Sequence, residues 1–475
     1  MKSAINYRKS GVSELGSREI AVTNPFDGQM IGSVANSSPM EVEAALDMAA
    51  QGFLASRSLS SAERSAILMR TAAGIDTQSE AFARCIVMES GKTLRQAQKE
   101  VKRCVNTLTL SAEEAKRLTG ETIAFDSFAG SEARQGYFQR DPLGLIVGIT
   151  PFNDPLNLAA HKVGPAVASG NAILLKPAEL APLSSMMLAE AFSDAGLPPG
   201  IVNVVTGDAE TGRALVAAKK VRMVSFTGGT ETARLIAREA GLKRLAMDLG
   251  GNAPVIIMPD CDFERAVEAC VSGAFWAAGQ NCIGTQRIIV VGEIYDRFVE
   301  CFVKQTKALV LGDPMDICTD VGPMITDNAA QRTLEQVKAA VAKGAIIETG
   351  GTREGTLFTP TVLTKVSAKS CLRIEEAFSP VVLIDHVQTF DEAITEANSP
   401  ESMIHAGIFT RDIETAFKAI DRLEASGVMV NDSSDYRFDA MPFGGYKYGN
   451  LGREGVRFAI QEMTQPKVIC FNRSC

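Results

Sequence analysis

DLGGNAPVIIMPDCDFERAVEACVSGAFWAAGQNCIGTQR, residues Asp248 to Arg287, opens with a carboxylate beside a paired glycine and closes on a thiol after a Gly-Gln-Asn turn. Between those ends lie an apolar APVIIM run, a helical pattern over 263–278 and a second apolar run, RIIVVG. Strand, helix and strand in that succession make a crossover unit, whose strands lie parallel in one sheet. The chemistry sits at the two ends, where Asp248 and Cys282 suggest a base and a nucleophile brought together by the fold. A cysteine is by default a small buried hydrophobe, so Cys282 needs support from the rest of the chain.

Working outward, the same alternation runs upstream through LGLIVGIT, NAILLKP, IVNVVTG and VRMVSFTGG, and downstream into a helix over 294–311. Before it, from Pro39 onward, MEVEAALDMAAQGFLA repeats apolar positions at i, i+3 and i+4 with Ser38 placed to cap it, and further amphipathic helices continue to about residue 118. Residues 120–140 alternate like a hairpin, and the final FAIQEMTQPKVICFN ends in a strand-like run suited to edge pairing with another subunit. The whole reads as an α/β protein with a Rossmann-like parallel sheet.

At 475 residues the chain exceeds the size of a single core, so more than one domain is expected. Its 46% hydrophobic and 22% charged composition is that of a globular protein, and a net charge of −8 speaks against nucleic acid or an anionic membrane as partner. Ten scattered cysteines show no CxxC pair and no metal-ligand spacing, so no metal is expected. With no apolar leader and no membrane-length run, the expectation is a cytoplasmic protein with reduced thiols.

Seven motifs occur in a fixed order: Pro151-Phe152-Asn153-Asp154-Pro155, Lys176-Pro177-Ala178-Glu179, Phe226-Thr227-Gly228-Gly229, Asp248-Leu249-Gly250-Gly251, Gly279-Gln280-Asn281-Cys282, Glu376-Ala377-Phe378-Ser379-Pro380 and Pro442-Phe443-Gly444-Gly445. In that order and spacing the chain resembles the aldehyde dehydrogenase superfamily along essentially its whole length. The resemblance implies a cofactor domain over 1–120 and 141–249, a catalytic domain over 250–455, and a small β oligomerisation arm over 121–140 and 456–475, in a homodimer or homotetramer.

The GxGxxG fingerprint is absent, so the resemblance decides the cofactor. It implies that Lys176 and Glu179 grip the adenine ribose, and a carboxylate at the 2′-hydroxyl favours NAD, with NADP possible because Lys176 could meet a phosphate. Thr227, Gly228 and Gly229 lead into a helix whose free N–H groups suit a pyrophosphate. Glu376 and Phe378, with Phe152, match the pair and neighbour that hold the nicotinamide ribose and ring. Position 229 is more often Ser in the family, and Ser379 stands where Gly is usual.

A thiolate must add to the aldehyde before a hydride can leave, and Cys282 is the expected nucleophile. Asn153 and the Cys282 N–H are the implied oxyanion donors, although Asn153 also suits an Asx-turn before Pro155. Asp248 is the implied base for thioester hydrolysis, one methylene shorter than the family's Glu; it also suits a turn cap. Substrate clues are Arg103 and His161, which together resemble the branch taking small anionic aldehydes of phosphono, phospho or hydroxy type; Asn281 lines the same site but is neutral where phosphonate-type relatives often have Arg, and Arg437, in the loop at the pocket mouth, could supply a second charge. The alternatives are a coenzyme A-acylating enzyme, a thiol hydrolase, and a non-catalytic protein on the same scaffold.

Overall fold

The computed structural model describes residues 18–449 and 451–473. Residues 1–17 of the expected cofactor domain, Asn450 of the expected catalytic domain and the last two residues of the expected arm lie outside the described residues.

The apolar runs flanking residue 150 form one wholly parallel sheet, in the spatial order Val202–Val204, Ala172–Lys176, Leu145–Ile149, Val221–Gly228, Arg244–Leu249. Strands covered on both faces can be apolar at every position, and AILLK of Ala172–Lys176 is buried throughout. Ile146, Ile173 and Met223 pack against helices Ser61–Thr77, Leu94–Ala115 and Asn157–Ala168. Leu145, Val147 and Leu174 face the opposite layer, Pro39–Ser58, Ala209–Ala217 and Thr230–Ala240. The chain starts in the middle strand, winds to one edge, then crosses back to Val221–Gly228. A crevice therefore opens between the ends of Leu145–Ile149 and Val221–Gly228, the switch point where such sheets hold ligands.

Residues 250–252 alone separate this sheet from a second, seven-stranded one. Its order is Ile346–Thr349, Thr361–Thr364, Val381–Val387, Thr285–Val291, Ala253–Ile257, His405–Phe409, Gly427–Val430, parallel except at the first strand. A third, antiparallel sheet joins Thr464–Asn472, Arg134–Pro142 and Glu121–Ile123. The terminal strand thus pairs along all nine of its residues within its own chain, and only its other edge is left for a second subunit.

Ser38 caps Pro39–Ser58 in a reciprocal capping box with Glu41, as its position predicts. Two helices end earlier than their patterns suggest. The helix from Phe263 stops at Phe275, because Ala277 and Ala278 turn left-handed at φ 50° and 54° on the way to Gly279 at φ 69°. The helix Tyr295–Lys307 stops short because the Val310 backbone turns to Asp320 and Val321 instead.

Candidate active site

The left-handed run at 277–279 is what delivers Cys282. A Cβ on Gly279 would lie 2.0 Å from the Ser379 carbonyl oxygen, so only glycine fits there. The turn leaves Cys282 packed on Ile283, Ile404 and Phe443. Its thiol is pushed well above the ordinary range, first by burial and then by Asp248 and Glu376, with Arg437 opposing. At rest Cys282 is a thiol. The Asn153 side-chain amide donates to the Gln280 carbonyl at 3.0 Å, which brings it to the same turn, two residues before the sulfur.

Asp248 belongs to the last strand of the first sheet, where parallel pairing sets it beside Thr227. It caps no turn: both carboxylate oxygens are buried without a hydrogen-bond partner. Burial, then the charge of Glu454, push its carboxyl up to about 8. Glu454 is held close by a bridge from Met247 to Leu451 and by paired backbone bonds between Glu454 and Phe443. Its carboxylate accepts from Lys162 Nζ at 3.1 Å, Thr227 Oγ1 at 2.8 Å and Arg437 Nη2 at 3.1 Å. Burial alone would raise Glu454, but Lys162 and Arg437 hold it well below the carboxylate range. One buried acid is thus kept protonated and its neighbour ionised. Such a pair lets a proton be stored and passed.

Glu376 converges on the same junction. A Cβ on Gly250 would lie 1.9 Å from its Oε2, so the carboxylate occupies the space the glycine leaves. Burial raises its carboxyl to about 8, with the Gly251 N–H opposing and Asp248 adding to the rise. Gln286 holds the two loops together, donating to the Gly251 carbonyl and accepting from the Ala377 N–H. Asn252 does the same, bonded to the carbonyls of Arg373 and Glu375 and to the fully buried Arg287. Phe378 sits at φ 47°, unusual for a bulky residue, with its ring edge-on to Phe152 at 5.8 Å.

Across the crevice, Lys176 is buried with its ammonium only on the Pro177 carbonyl at 3.3 Å, while Glu179 is exposed beyond it. Burial lowers the Lys176 ammonium, with Glu179 and Asp208 opposing. Gly229 is the N-cap of Thr230–Ala240, no side chain caps its first turn, and a Cβ there would meet nothing within 4 Å. The Thr227 hydroxyl points inward to Lys162 and Glu454, so at this position only the backbone is left for a ligand.

Of the four residues expected to meet substrate, Arg103 and His161 share one charged cluster and Arg437 belongs to a second around Glu454. Arg103 donates to Asp154 at 3.1 Å and to Asp439 at 3.0 Å. His161 bonds the same Asp439 through Nε2 at 3.0 Å. Arg437 lies 3.6 Å over the Phe443 ring besides meeting Glu454, and Asn281 accepts from the Ile283 N–H within its own turn. Lys162, Asp439 and Glu454 escaped the sequence reading. A lysine in the fully buried helix NLAAHKVGPAVA was the available signal for the first. Nothing local marked the two acids. Among the described residues no cluster of His, Cys, Asp or Glu could hold a metal ion, and no helix is long and apolar enough to cross a membrane.

The model of the aldehyde dehydrogenase family matches residues 12–469. An aspartate-semialdehyde dehydrogenase of Pseudomonas canavaninivorans is 59% identical over 95% of this chain and 96% of its own. A 3-sulfolactaldehyde dehydrogenase of Priestia aryabhattai is 40% identical over 98% and 97%. The crystal structure of a glyceraldehyde-3-phosphate dehydrogenase from Methanocaldococcus jannaschii, complexed with NADP, superposes with a TM-score of 0.92 at 39% identity, over 96% and 99% of the two chains.

Proposed function

Because the chain belongs to the aldehyde dehydrogenase family, we propose that it oxidises a small anionic aldehyde to the acid through a thioester on Cys282, with NAD as the preferred oxidant. The observation that carries this reading is the meeting of Cys282, Asp248 and Glu376 at the junction of the five-stranded and seven-stranded sheets, beside the crevice of the first.

The crevice fits a dinucleotide. Lys176 and Glu179 bracket a ribose site, the uncapped start of Thr230–Ala240 suits a pyrophosphate, and Glu376 Oε1 is buried without a partner where a nicotinamide ribose hydroxyl would bond it. The bound dinucleotide supplies the hydride acceptor. NADP is admitted by Lys176, and NADP is what the archaeal relative holds.

The chain's own residues do the remainder. Cys282 gives up its thiol proton to solvent and adds to the carbonyl as the thiolate; the Asn153 amide and the Cys282 N–H donate to the oxygen as it becomes anionic. Asp248 then takes a proton from the water that hydrolyses the thioester; its burial and Glu454 raise its proton affinity, and Arg437 and Lys162 oppose them. Arg103 and Arg437 each keep a buried Nε–H without a partner, which suits an anionic substrate tail. The names of the relatives, aspartate semialdehyde and 3-sulfolactaldehyde, support a small polar substrate.

One observation favours a second reading. A base protonated below about pH 8 hydrolyses slowly at neutrality, so coenzyme A is the alternative acceptor of the acyl group. A hydrolase without redox chemistry lacks support: His161 is spent on Asp439, and His405 is bonded to the Ser434 carbonyl and lowered to about 4 by burial. The test is NADH formation with anionic and neutral aldehydes, using NAD and NADP in parallel, with Cys282→Ala as control. Turnover that favours an anionic aldehyde and vanishes in the variant is expected. Equal or better turnover of neutral aldehydes overturns the substrate class, and no reduction of either dinucleotide, with or without coenzyme A, overturns the function.

A further inference from the structure

Asn153 stands in the connection, residues 150–156, between the strand Leu145–Ile149 and the helix Asn157–Ala168, and its side chain holds one hydrogen bond, to the Gln280 carbonyl. The four residues that follow it are gripped from outside, one after another. Asp154 meets Lys92 Nζ through one carboxylate oxygen and accepts from Arg103 Nη1 at 3.1 Å through the other. The Pro155 carbonyl accepts from Ser185 Oγ at 3.0 Å. Glu100 Oε1 accepts from the N–H groups of Leu156 at 2.9 Å and Asn157 at 3.1 Å, among the donors that a helix start leaves without an intrahelical partner. Asn157 Oδ1 accepts from Thr107 Oγ1 at 2.9 Å.

These grips are joined at Lys92. Its ammonium reaches Glu100 Oε2 at 2.8 Å as well as Asp154, so one buried cation ties the carboxylate that caps the helix to the carboxylate beside Asn153. Lys92 lies in the turn between the helices Ser79–Ser90 and Leu94–Ala115, and Glu100 and Arg103 lie on the second of these. The clamp therefore belongs to the helical layer, which supplies none of the reacting groups. Lys92 and Arg103 offset Glu100 and Asp154 in charge, so what the cluster contributes is geometry. Geometry matters most at an oxyanion donor, where a displacement of about 1 Å can cost about 100-fold in rate.

We propose that the buried ion pair of Lys92 and Asp154, backed by Glu100, is the positioning device of the oxyanion site: it holds the loop so that the Asn153 amide meets the carbonyl oxygen of an aldehyde on Cys282. Lys92 and Asp154 touch no reacting atom and act through Asn153. The inference rests on the reading of Asn153 as an oxyanion donor. It makes the rate of the first chemical step depend on a cation held in the helical layer, on the far side of Asp154 from Arg103.

The test is a double-mutant cycle on the rate of the first NADH burst, read by stopped flow with the aldehyde that the wild type oxidises fastest. Asp154→Ala should slow the burst by about 10- to 100-fold and leave the Kd for NAD unchanged. Asn153→Ala keeps the Cys282 N–H as donor, and in that background the same change should slow the burst by no more than about 2-fold, as for two residues that act as one unit. If Asp154→Ala does not fold, Asp154→Asn, which keeps the size and one accepting oxygen, is carried through the same cycle. A loss that persists in full without Asn153 means that Asp154 acts through Arg103 or on the fold at large, and overturns the proposal. So does a burst that the Asp154 variant leaves unchanged, or a matching rise in the Kd for NAD. An Asn153→Ala burst as fast as that of the wild type removes the donor role of Asn153, and the inference with it. Failure of the wild type to oxidise any aldehyde overturns the functional reading itself.

Discussion

Asp248 is one methylene shorter than the family's usual base, and its environment matters more than its length. Burial and Glu454 raise its carboxyl to about 8. Below that pH the group keeps its proton and cannot take one from water; above it the carboxylate is free. The hydrolytic rate should therefore climb as pH rises through about 8, measured as steady-state NADH formation after the first turnover. Glu454→Gln removes the neighbouring negative charge and leaves Lys162 and Arg437 facing Asp248, so the midpoint should move down. A midpoint that stays put would break the link between the two acids. Gly250 offers a second single-residue test. Gly250→Ala places a methyl where the Glu376 carboxylate lies, and because a side-chain tip can move aside, folding should survive. The expected result is a several-fold rise in KM for NAD with the Cys282 thiol still titratable. An unchanged KM would mean that Glu376 does not need that position.

Among the elements, the helix Asn157–Ala168 carries the site's polarity into an apolar layer. All twelve of its residues are buried, and His161 and Lys162 stand side by side on it. One reaches Asp439 and the other Glu454, so a single turn of helix sets both substrate network and base. Lys162→Met leaves Glu454 buried with one fewer cation, which should cost about 3–5 kcal/mol in denaturant unfolding. It should also raise the pH midpoint of hydrolysis, since Lys162 favours the ionised form of Asp248. Stability lost with no change in midpoint would make Lys162 purely structural. The strands and helices around it were legible in the sequence, because apolar runs of five and helical spacing depend on nearest neighbours along the chain. Ser38, with Glu41 three residues on, announced its cap in the same way. The end of the helix at Phe275 was not legible. The left-handed alanines that terminate it are imposed by the turn to Cys282, and alanine has no local reason to adopt that conformation.

The whole molecule shows where reading by motif reaches its limit. Cys282, Asn153 and Glu376 were found because each sits in a short ordered motif, and the fold brings them together. Asp439 and Glu454 were missed because their roles come largely from contacts hundreds of residues away in sequence, with Arg103 and His161 in one case and Lys162 and Thr227 in the other. The outer edges of Gly427–Val430 and Thr464–Asn472 are among the strand edges with no partner in the described chain, and Ile413, Phe417 and Ile420 expose one apolar face of the helix Ile413–Arg422. Unpaired edges and exposed apolar surface suit a homo-oligomer. Removing residues 464–475 should convert the assembly to monomers in light scattering; an intact protein that is already monomeric would refute the arm's role.

The most direct measurement is intact-protein mass spectrometry of Asp248→Asn after mixing with NAD and an oxidisable aldehyde, read alongside NADH release. A burst of one NADH per subunit, followed by an acyl group retained on Cys282, is the result predicted for a thioester whose hydrolysis needs Asp248. Wild-type turnover with no retained adduct would contradict it, as would an adduct on any other residue.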